Sequence, residues 1–248
     1  MPAATPRVVF VIRDTDYELL IARHATRGQV RFFLESRGQS IAEVEARHAQ
    51  FHAVLAEARG SVPLDWRQAL VRRPDLDRFL FAPEDVVVAV GQDGLVANVA
   101  KYLDGQPVVG VNPAPDLYDG VLARAGVGSL RALLPASAAG TVPLQRRTMV
   151  QALFDGGARL LALNEIFVGH RSHQSARYRI DDGARAEDQS SSGLIVASGT
   201  GLTGWARSIS EATHLTLEVG IEEAAFGYWV REPFPSVATG TAMRAGRF

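Results

Sequence analysis

The sequence of 248 residues predicts an α/β domain over residues 1–125 followed by a mainly-β domain over residues 126–248. In the first half, short runs of β-branched residues alternate with helical patterns, as is typical of a parallel sheet covered by helices. In the second half, apolar residues at every second position alternate with Gly-containing turns, which is typical of strands buried on one face. A connector of small residues bounded by prolines, at 135–143, lies between the two patterns.

The first domain is predicted to contain three buried strands, each bounded by charge, Gly or Pro. They are Val8–Ile12, Val86–Val90 and Val108–Val111. A helix is predicted over Ser40–Ala58, with Ser40 and Glu43 forming a capping box. A second helix, Gly94–Leu103, joins the second and third strands, so residues 86–111 are expected to form a βαβ unit with parallel strands.

The second domain is predicted to contain six strands with Gly-containing turns at 155–157 and 181–183. These strands are Met149–Phe154, Arg159–Leu163, Ile166–Val168, Arg177–Ile180, Leu194–Ala197 and Leu215–Val219. A short helical pattern covers Ala206–Ala212.

Composition excludes several classes of function. The chain carries 26 basic and 27 acidic residues, a net charge of −1, which is unlike a strongly basic nucleic-acid binder. It has no Cys, which excludes disulfides, Cys-ligated zinc, iron–sulfur clusters and a thiol nucleophile. Its single lysine, Lys101, follows Ala100, so a G-x-x-x-x-G-K-[ST] phosphate loop is excluded. The apolar runs are too short or too polar for a signal peptide or a membrane span, so we expect a cytoplasmic protein.

The first candidate site is Gly91-Gln92-Asp93-Gly94, which follows the second strand and opens a helix. It places the Asp93 carboxylate at the carboxyl end of a strand, where ligands bind in open α/β sheets. Asp is also a preferred helix N-cap, and flanking glycines permit a turn. A helix cap and a functional carboxylate are therefore both open interpretations of Asp93.

The second candidate is Asn164-Glu165, a polar pair between two apolar runs. If buried, these side chains need partners in the protein or in a ligand. An edge strand or a bulge explains the pair equally well.

The third candidate runs from Ser198 to Trp205, between a strand and a helix. Gly and hydroxyl residues at such a turn present backbone N–H groups to an anion. Gly199, Gly201 and Gly204 also match G-x-G-x-x-G, so a Rossmann-type NAD-dependent oxidoreductase is a third functional alternative, although the short, β-rich remainder of the chain disfavours it. Trp205 is interpreted either as a stacking wall for adenine or as a core residue.

The histidines give weaker signals. His170 and His173 have an i, i+3 spacing that a metal uses on a helix, but their segment is expected to be a solvated loop. His48 lies on the apolar face of its helix and is expected to pack there. No metal ligands are assigned from the sequence.

Taken together and in this order, the three motifs resemble the NAD kinase family, within the NAD kinase and diacylglycerol kinase-like group. The resemblance covers roughly residues 85–220. In that family the motifs usually read G-G-D-G-T, A-L-N-E and D-G-(apolar)₃-x-T-P-T-G-S-T-A-Y. The resemblance implies an NAD kinase-like two-domain architecture, with a dinucleotide held in the cleft between an α/β domain and a β domain.

The resemblance also implies roles for individual residues. Asp93 would act near the ribose 2′-hydroxyl as general base or positioning group, and ATP with Mg²⁺ or another divalent cation would supply the phosphoryl group. Asn164 and Glu165 would hold ribose hydroxyls. The other implied nucleotide-binding residues are Gly91, Gly94, Thr203, Trp205 and Ser208.

Three departures from the family motifs motivate an alternative. Gln92 and Leu95 replace a Gly and a Thr of the first motif, and Ser192 stands where the third has Asp. The sequence therefore predicts an ATP-dependent phosphotransferase acting on a hydroxyl of NAD or of another small molecule. The alternative is a catalytically weak nucleotide-binding protein of the same fold. We expect a small-molecule nucleotide or other hydroxyl-bearing partner, no nucleic acid or membrane, and a homo-oligomer.

Overall fold

The computed structural model describes residues 5–248, and the chain divides into two compact units, Met1–Leu144 and Gln145–Phe248. The sequence analysis placed the boundary after residue 125, 19 residues before the observed division. The difference arises because the connector region contains a helix, Leu130–Ala138. Its residues Leu130 and Leu134 are completely buried in the core of the first unit.

The first unit contains a four-stranded parallel sheet in the order β2-β1-β3-β4. The strands are β1 (Arg7–Ile12), β2 (Arg67–Arg72), β3 (Asp85–Val90) and β4 (Val108–Val111). The three predicted strands are confirmed. β1 and β3 lie in the centre and are almost wholly buried, as their continuous apolar runs require. β2 was not predicted, because this edge strand carries charged and polar residues along its exposed side.

Five α-helices accompany the sheet. They are α1 (Asp16–His24), α2 (Arg27–Glu35), α3 (Ile41–Gly60), α4 (Asp93–Ala100) and α5 (Leu130–Ala138). The predicted helix after Ser40 and the βαβ unit β3-α4-β4 are confirmed. The capping box at Ser40 is wrong, because the Ser40 side chain makes no cap hydrogen bond. The capping box lies instead at the start of α1, where Thr15 and Glu18 satisfy each other's backbone N–H groups.

The sheet of the first unit is packed on both faces. Helices α3 and α5 cover one face, where Phe51 and Leu130 pack against β1 and β3 and Trp66 lies against the same cluster. Helix α4 covers the other face through Leu95 and Val99. This double cover explains why the central strands contain almost no polar side chains.

The second unit is mainly β. Its main sheet is antiparallel in the order β12-β11-β10-β7. Strands β5 and β6 form a separate antiparallel hairpin, as do strands β8 and β9. The strands are β5 (Val150–Leu153), β6 (Arg159–Ala162), β7 (Glu165–Val168), β8 (Ala176–Asp181), β9 (Ala186–Ser191), β10 (Gly193–Ala197), β11 (Gly227–Arg231) and β12 (Ala245–Arg247). One helix, α6 (Trp205–Thr213), packs on the main sheet around the fully buried Trp229.

The strand predicted over Leu215–Val219 is wrong. Its alternation is real, since Leu215, Leu217 and Val219 are more buried than the residues between them. The segment joins no sheet. Its Leu215 carbonyl accepts hydrogen bonds from the Trp229 indole at 2.9 Å and from Ser210 at 3.0 Å. The segment is therefore an extended cover over the Trp229 cluster, and such a cover has the same alternation as a strand.

No helix within residues 5–248 has the length and apolar character needed to cross a membrane.

Candidate functional site

A pocket opens at the carboxyl ends of the parallel strands of the first unit. Arg13 and Asp14 follow β1, Gly91 and Gln92 follow β3, and Asn112 follows β4. The strand order reverses between β1 and β3, which is the position where open α/β sheets bind ligands. We call this the strand-end pocket; α3 closes it with Arg47, His48, Gln50 and Phe51.

The glycines of the GQDG motif differ in their surroundings. A Cβ on Gly91 would lie 2.9 Å from the Cδ2 atom of Leu95, a core residue, so packing already favours glycine there. A Cβ on Gly94 would meet no atom within 4 Å. Gly94 is exposed at the start of α4, so a ligand could approach its backbone.

The Asp93 carboxylate has a role that the sequence analysis did not consider. Gln92, rather than Asp93, is the N-cap of α4, so the helix-cap interpretation is wrong. Asp93 Oδ2 accepts the Val121 N–H at 2.8 Å, and Oδ1 accepts the N–H groups of Leu122 and Ala123 at 2.9 and 2.8 Å. The carboxylate therefore anchors the segment 121–123 to the start of α4.

Positive charge in the strand-end pocket comes from two arginines. Arg13 lies 3.5 Å from Asp16, and the Arg47 guanidinium makes no hydrogen bond or ion pair with any residue of 5–248. Asp14, one of the two carboxylates that line the pocket, is paired with Arg72. An unpaired guanidinium at a strand-end pocket is suited to a phosphate group.

In the second unit, the Asn164-Glu165 pair and the turn at 198–204 come together. Glu165 in β7 pairs with Ala197 in β10, so the turn that follows β10 lies against Asn164. The Ser198 N–H donates to the Asn164 carbonyl at 2.9 Å. A Cβ on Gly201 would lie 2.3 Å from that same carbonyl oxygen, so this close approach requires glycine. We call this arrangement the Asn-Glu site.

Two side-chain oxygens of the Asn-Glu site are buried without a partner. Asn164 Oδ1 and Glu165 Oε2 accept no hydrogen bond from any described residue. Burial raises the pKa of the half-buried Glu165 carboxyl, because the charged form is poorly hydrated there. Such groups are rare in folded proteins, and two free acceptors on consecutive residues suit a ligand that donates hydrogen bonds.

Trp205 lies on the surface, so its interpretation as a core residue is wrong. Its side chain is 40% exposed, and the Phe167 ring lies 5.6 Å from its own ring. The Arg231 guanidinium lies 5.2 Å from the indole ring. These residues form an exposed aromatic surface with one positive charge.

Thr203 and Ser208 lie near the start of α6. The Thr203 hydroxyl donates to the Thr200 carbonyl at 2.9 Å, and Ser208 is exposed on the first turns of the helix. Ser198 and Thr200 belong to the third candidate motif but were given no individual role; both are buried, and the Ser198 hydroxyl donates to the Leu163 carbonyl and accepts the Thr200 N–H. A run of small polar residues directly after a strand was the available signal. Arg147, whose guanidinium donates to the Thr200 hydroxyl at 3.0 Å, gave no such signal.

The Rossmann alternative lacks its structural context. The G-x-G-x-x-G sequence follows β10, which is antiparallel to both of its neighbours, so it does not open a parallel βαβ unit. His170 and His173 lie in an exposed loop, as predicted.

Comparisons with known proteins identify a curated relative and solved structures with a similar fold. No family model matches the sequence. The chain is 26% identical to the human protein NAD kinase 2, mitochondrial, over an alignment of 264 positions that covers 86% of this chain. The aligned region covers 60% of that relative, so the chain spans well under two thirds of the relative's length.

Two solved structures share the fold. One is an NAD kinase from Archaeoglobus fulgidus in complex with ATP, with a TM-score of 0.52 at 20% identity, covering 92% of this chain and 73% of that one. The other is yeast NADH kinase complexed with NADH, with a TM-score of 0.53 at 12% identity, covering 99% of this chain and 70% of that one. The two-domain fold predicted from the sequence is thus the fold of these kinases.

Proposed function

We propose that this chain is a diverged member of the NAD kinase family and transfers the terminal phosphoryl group of ATP to a ribose hydroxyl of NAD or of a related nucleotide. The observation that carries the proposal is the pair of buried acceptors without partners, Asn164 Oδ1 and Glu165 Oε2. A ribose presents two neighbouring hydroxyl donors. Binding it would satisfy both acceptors, which are costly to leave unpaired.

The Asn-Glu site supports a nucleoside ligand in two further ways. Glu165 is two residues before Phe167, whose ring lies beside Trp205, so the hydroxyl acceptors and the aromatic surface share one strand. Aromatic faces stack on nucleobases, and an arginine adds attraction to a nearby phosphate. We propose that the Trp205 indole contacts the base, with Thr203 and Ser208 at the nearby start of α6.

The strand-end pocket supports phosphate binding. It combines an unpaired arginine, Arg47, with the open backbone at Gly94 and a position at the reversal of strand order. The structure of the Archaeoglobus kinase, which has the same fold, is a complex with ATP, and that of the yeast kinase is a complex with NADH. We propose that Gly91, Gln92 and Gly94 line the path of the phosphates in this chain.

A divalent cation is implied by the family. The carboxylates that line the strand-end pocket are already engaged, Asp14 with Arg72 and Asp16 with Arg13. We therefore propose that Mg²⁺ enters on the phosphates of ATP rather than in a cage of protein ligands. When bound, it would neutralise phosphate charge, and the remaining contribution of the chain is to position the two substrates.

The catalytically weak nucleotide-binding protein is a second candidate, because a specific observation favours it. The Asp93 carboxylate accepts three backbone N–H groups, so it is engaged in holding the segment 121–123 and is less free to contact a substrate hydroxyl. Gln92 adds an exposed side chain beside it. In this candidate the nucleotide sites persist and phosphoryl transfer is slow.

One experiment distinguishes these candidates. Purified protein is incubated with ATP, MgCl₂ and either NAD or NADH, and NADP(H) is measured with a coupled dehydrogenase, while calorimetry measures NAD binding. Product formation that falls in Glu165→Gln, but not in the control Glu222→Gln, supports the kinase. Glu222 is exposed in the same unit, and its side chain makes no hydrogen bond or ion pair among residues 5–248. Binding without product supports the weak nucleotide-binding protein, and absence of both contradicts the proposal.

Two finer expectations remain predictions. A homo-oligomer would show as a mass above that of the 26.7 kDa chain in light scattering after size exclusion. A cytoplasmic location would show in fractionation of the source cells.

A further inference from the structure

Three metal-binding side chains come together in the first unit, outside the motifs discussed so far. Glu18 lies on α1, and His48 and His52 lie on α3. One possible ligand atom from each residue lies within 4.8 Å of those from the other two. The histidines are four residues apart on one helix, so both rings lie on the same face, and Glu18 faces them from the neighbouring helix. We call these residues the His-Glu cluster.

Each member is held in place by its surroundings. Glu18 Oε2 accepts the Thr15 backbone N–H at 2.7 Å and the Thr15 hydroxyl at 3.1 Å as part of the capping box. The Tyr17 ring lies 5.0 Å from the His48 ring, and Phe51 packs edge-on against His52. The three side chains are partly buried, so a metal would not have to order flexible surface groups.

The Thr15 hydroxyl also determines the tautomer of His48. His48 Nδ1 lies 2.8 Å from this hydroxyl, whose hydrogen is donated to Glu18. With the hydroxyl hydrogen on the Glu18 side, Nδ1 is the donor of this contact, and on that basis we assign the free lone pair to Nε2 of His48. A ligating histidine whose other ring nitrogen donates to a neighbouring group is the usual outer-shell arrangement at metal sites.

His52 and Glu18 already have the spacing of two ligands. His52 Nε2 is buried and lies 3.3 Å from Glu18 Oε1, yet the alignment is not that of a hydrogen bond, and no other described residue pairs with this nitrogen. Two ligands of a tetrahedral zinc ion, each about 2.0–2.1 Å from the metal, are roughly 3.3 Å apart. The pair therefore fits a shared ion better than it fits a direct hydrogen bond.

We propose that Glu18, His48 and His52 bind a divalent transition-metal ion of the zinc class, through two imidazole nitrogens and one carboxylate oxygen. Imidazole ligands favour such ions over Mg²⁺ and Ca²⁺, which prefer oxygen ligands alone. Three protein ligands leave a fourth position for water or another small ligand. The ion would fasten α1 to α3, and since Thr15 and His48 also line the strand-end pocket, it would border that pocket.

The test uses the full chain without an affinity tag, stripped with a chelator and titrated with ZnCl₂ by calorimetry. We expect one equivalent to bind. Affinity should fall on the order of 100-fold or more in His52→Ala and in Glu18→Gln, since loss of even an outer-shell partner weakens metal binding 10–100-fold. Gln keeps the capping box, so Glu18→Gln should remain folded. A double variant, His170→Ala with His173→Ala, is the matched control, because it removes two exposed histidines outside the cluster.

A spectroscopic measurement keeps the proposal testable if His52→Ala does not fold. X-ray absorption at the zinc edge of the wild-type protein should show two imidazoles and a light-atom shell, and Co²⁺ in place of Zn²⁺ should give the visible absorption of a four-coordinate site. The proposal is overturned if no equivalent binds, if imidazole scattering is absent, or if the His170/His173 variant abolishes binding while Glu18→Gln does not.

Discussion

Replacing Asp93 with asparagine separates anchoring from chemistry. The carboxylate accepts three backbone N–H groups at 2.8–2.9 Å, from Val121, Leu122 and Ala123. An asparagine oxygen can still accept two of them, but its NH₂ group then faces the third N–H, donor against donor. Hydrogen bonds to a charged acceptor contribute about 1.5–3 kcal/mol each, against about 0.5–1.5 for neutral ones.

The expected loss of stability follows from these values. One bond is lost and two are weakened, and partial relaxation of the 121–123 segment leaves a destabilisation of about 2–4 kcal/mol. For a unit of this size, that is a fall of roughly 5–15 °C in melting temperature. Asp75→Asn is the control, because the exposed Asp75 side chain makes no hydrogen bond or ion pair among residues 5–248. It should melt within about 1 °C of wild type.

Turnover, measured well below the melting temperature, then tests the chemistry. If Asp93 acts by positioning, Asp93→Asn should raise the KM for nucleotide and lower kcat by less than about tenfold. If Asp93 is instead the general base, Asp93→Asn should lower kcat by about 10²-fold or more at every pH. Unchanged melting of Asp93→Asn would refute the anchoring argument, whatever happens to turnover.

Three further substitutions test the sites individually. Because burial raises the pKa of Glu165 above 4.5, the stability of the wild-type protein should fall as pH rises from that value through the folded-state pKa. In thermal melts between pH 4 and 8, Glu165→Gln should lack this pH dependence, and at pH 7 it should be no less stable than wild type. Gly201→Ala should cost about 1–3 kcal/mol in urea unfolding, because its Cβ would lie 2.3 Å from the Asn164 carbonyl, whereas Gly94→Ala should leave stability within about 0.5 kcal/mol and weaken nucleotide binding. Trp205→Ala should weaken binding of an adenine nucleotide by about 1–3 kcal/mol in calorimetry without lowering the melting temperature, and equal affinity would exclude stacking.

Patterns that depend on burial could be read from the sequence. The runs in β1 and β3 had to be central strands, because no other arrangement buries so many consecutive β-branched residues. β2 could not be found in this way, since only one of its residues, Val71, is buried. α1 has no buried residue, so its periodicity carries little signal.

The candidate site was predictable in position but not in contacts. The motifs indicated Asn164 and Glu165, and the structure adds that their oxygens lack partners. The contacts of Asp93 join it to a segment 28–30 residues away, and the His-Glu cluster joins two helices. No local pattern of residues encodes such contacts, because they depend on how separate elements pack.

The two units each carry a tryptophan within or against their own core, Trp66 in the first and Trp229 in the second. Indole emission moves to longer wavelength when the ring becomes hydrated, so replacing Trp205 and one of the core tryptophans with Phe would leave a single reporter for one unit. Comparing the two single-tryptophan proteins through a denaturant titration would show directly whether the chain unfolds as one cooperative block or as two. Because Trp66 and Trp229 lie in different units, tryptophan fluorescence alone can measure the cooperativity between the units.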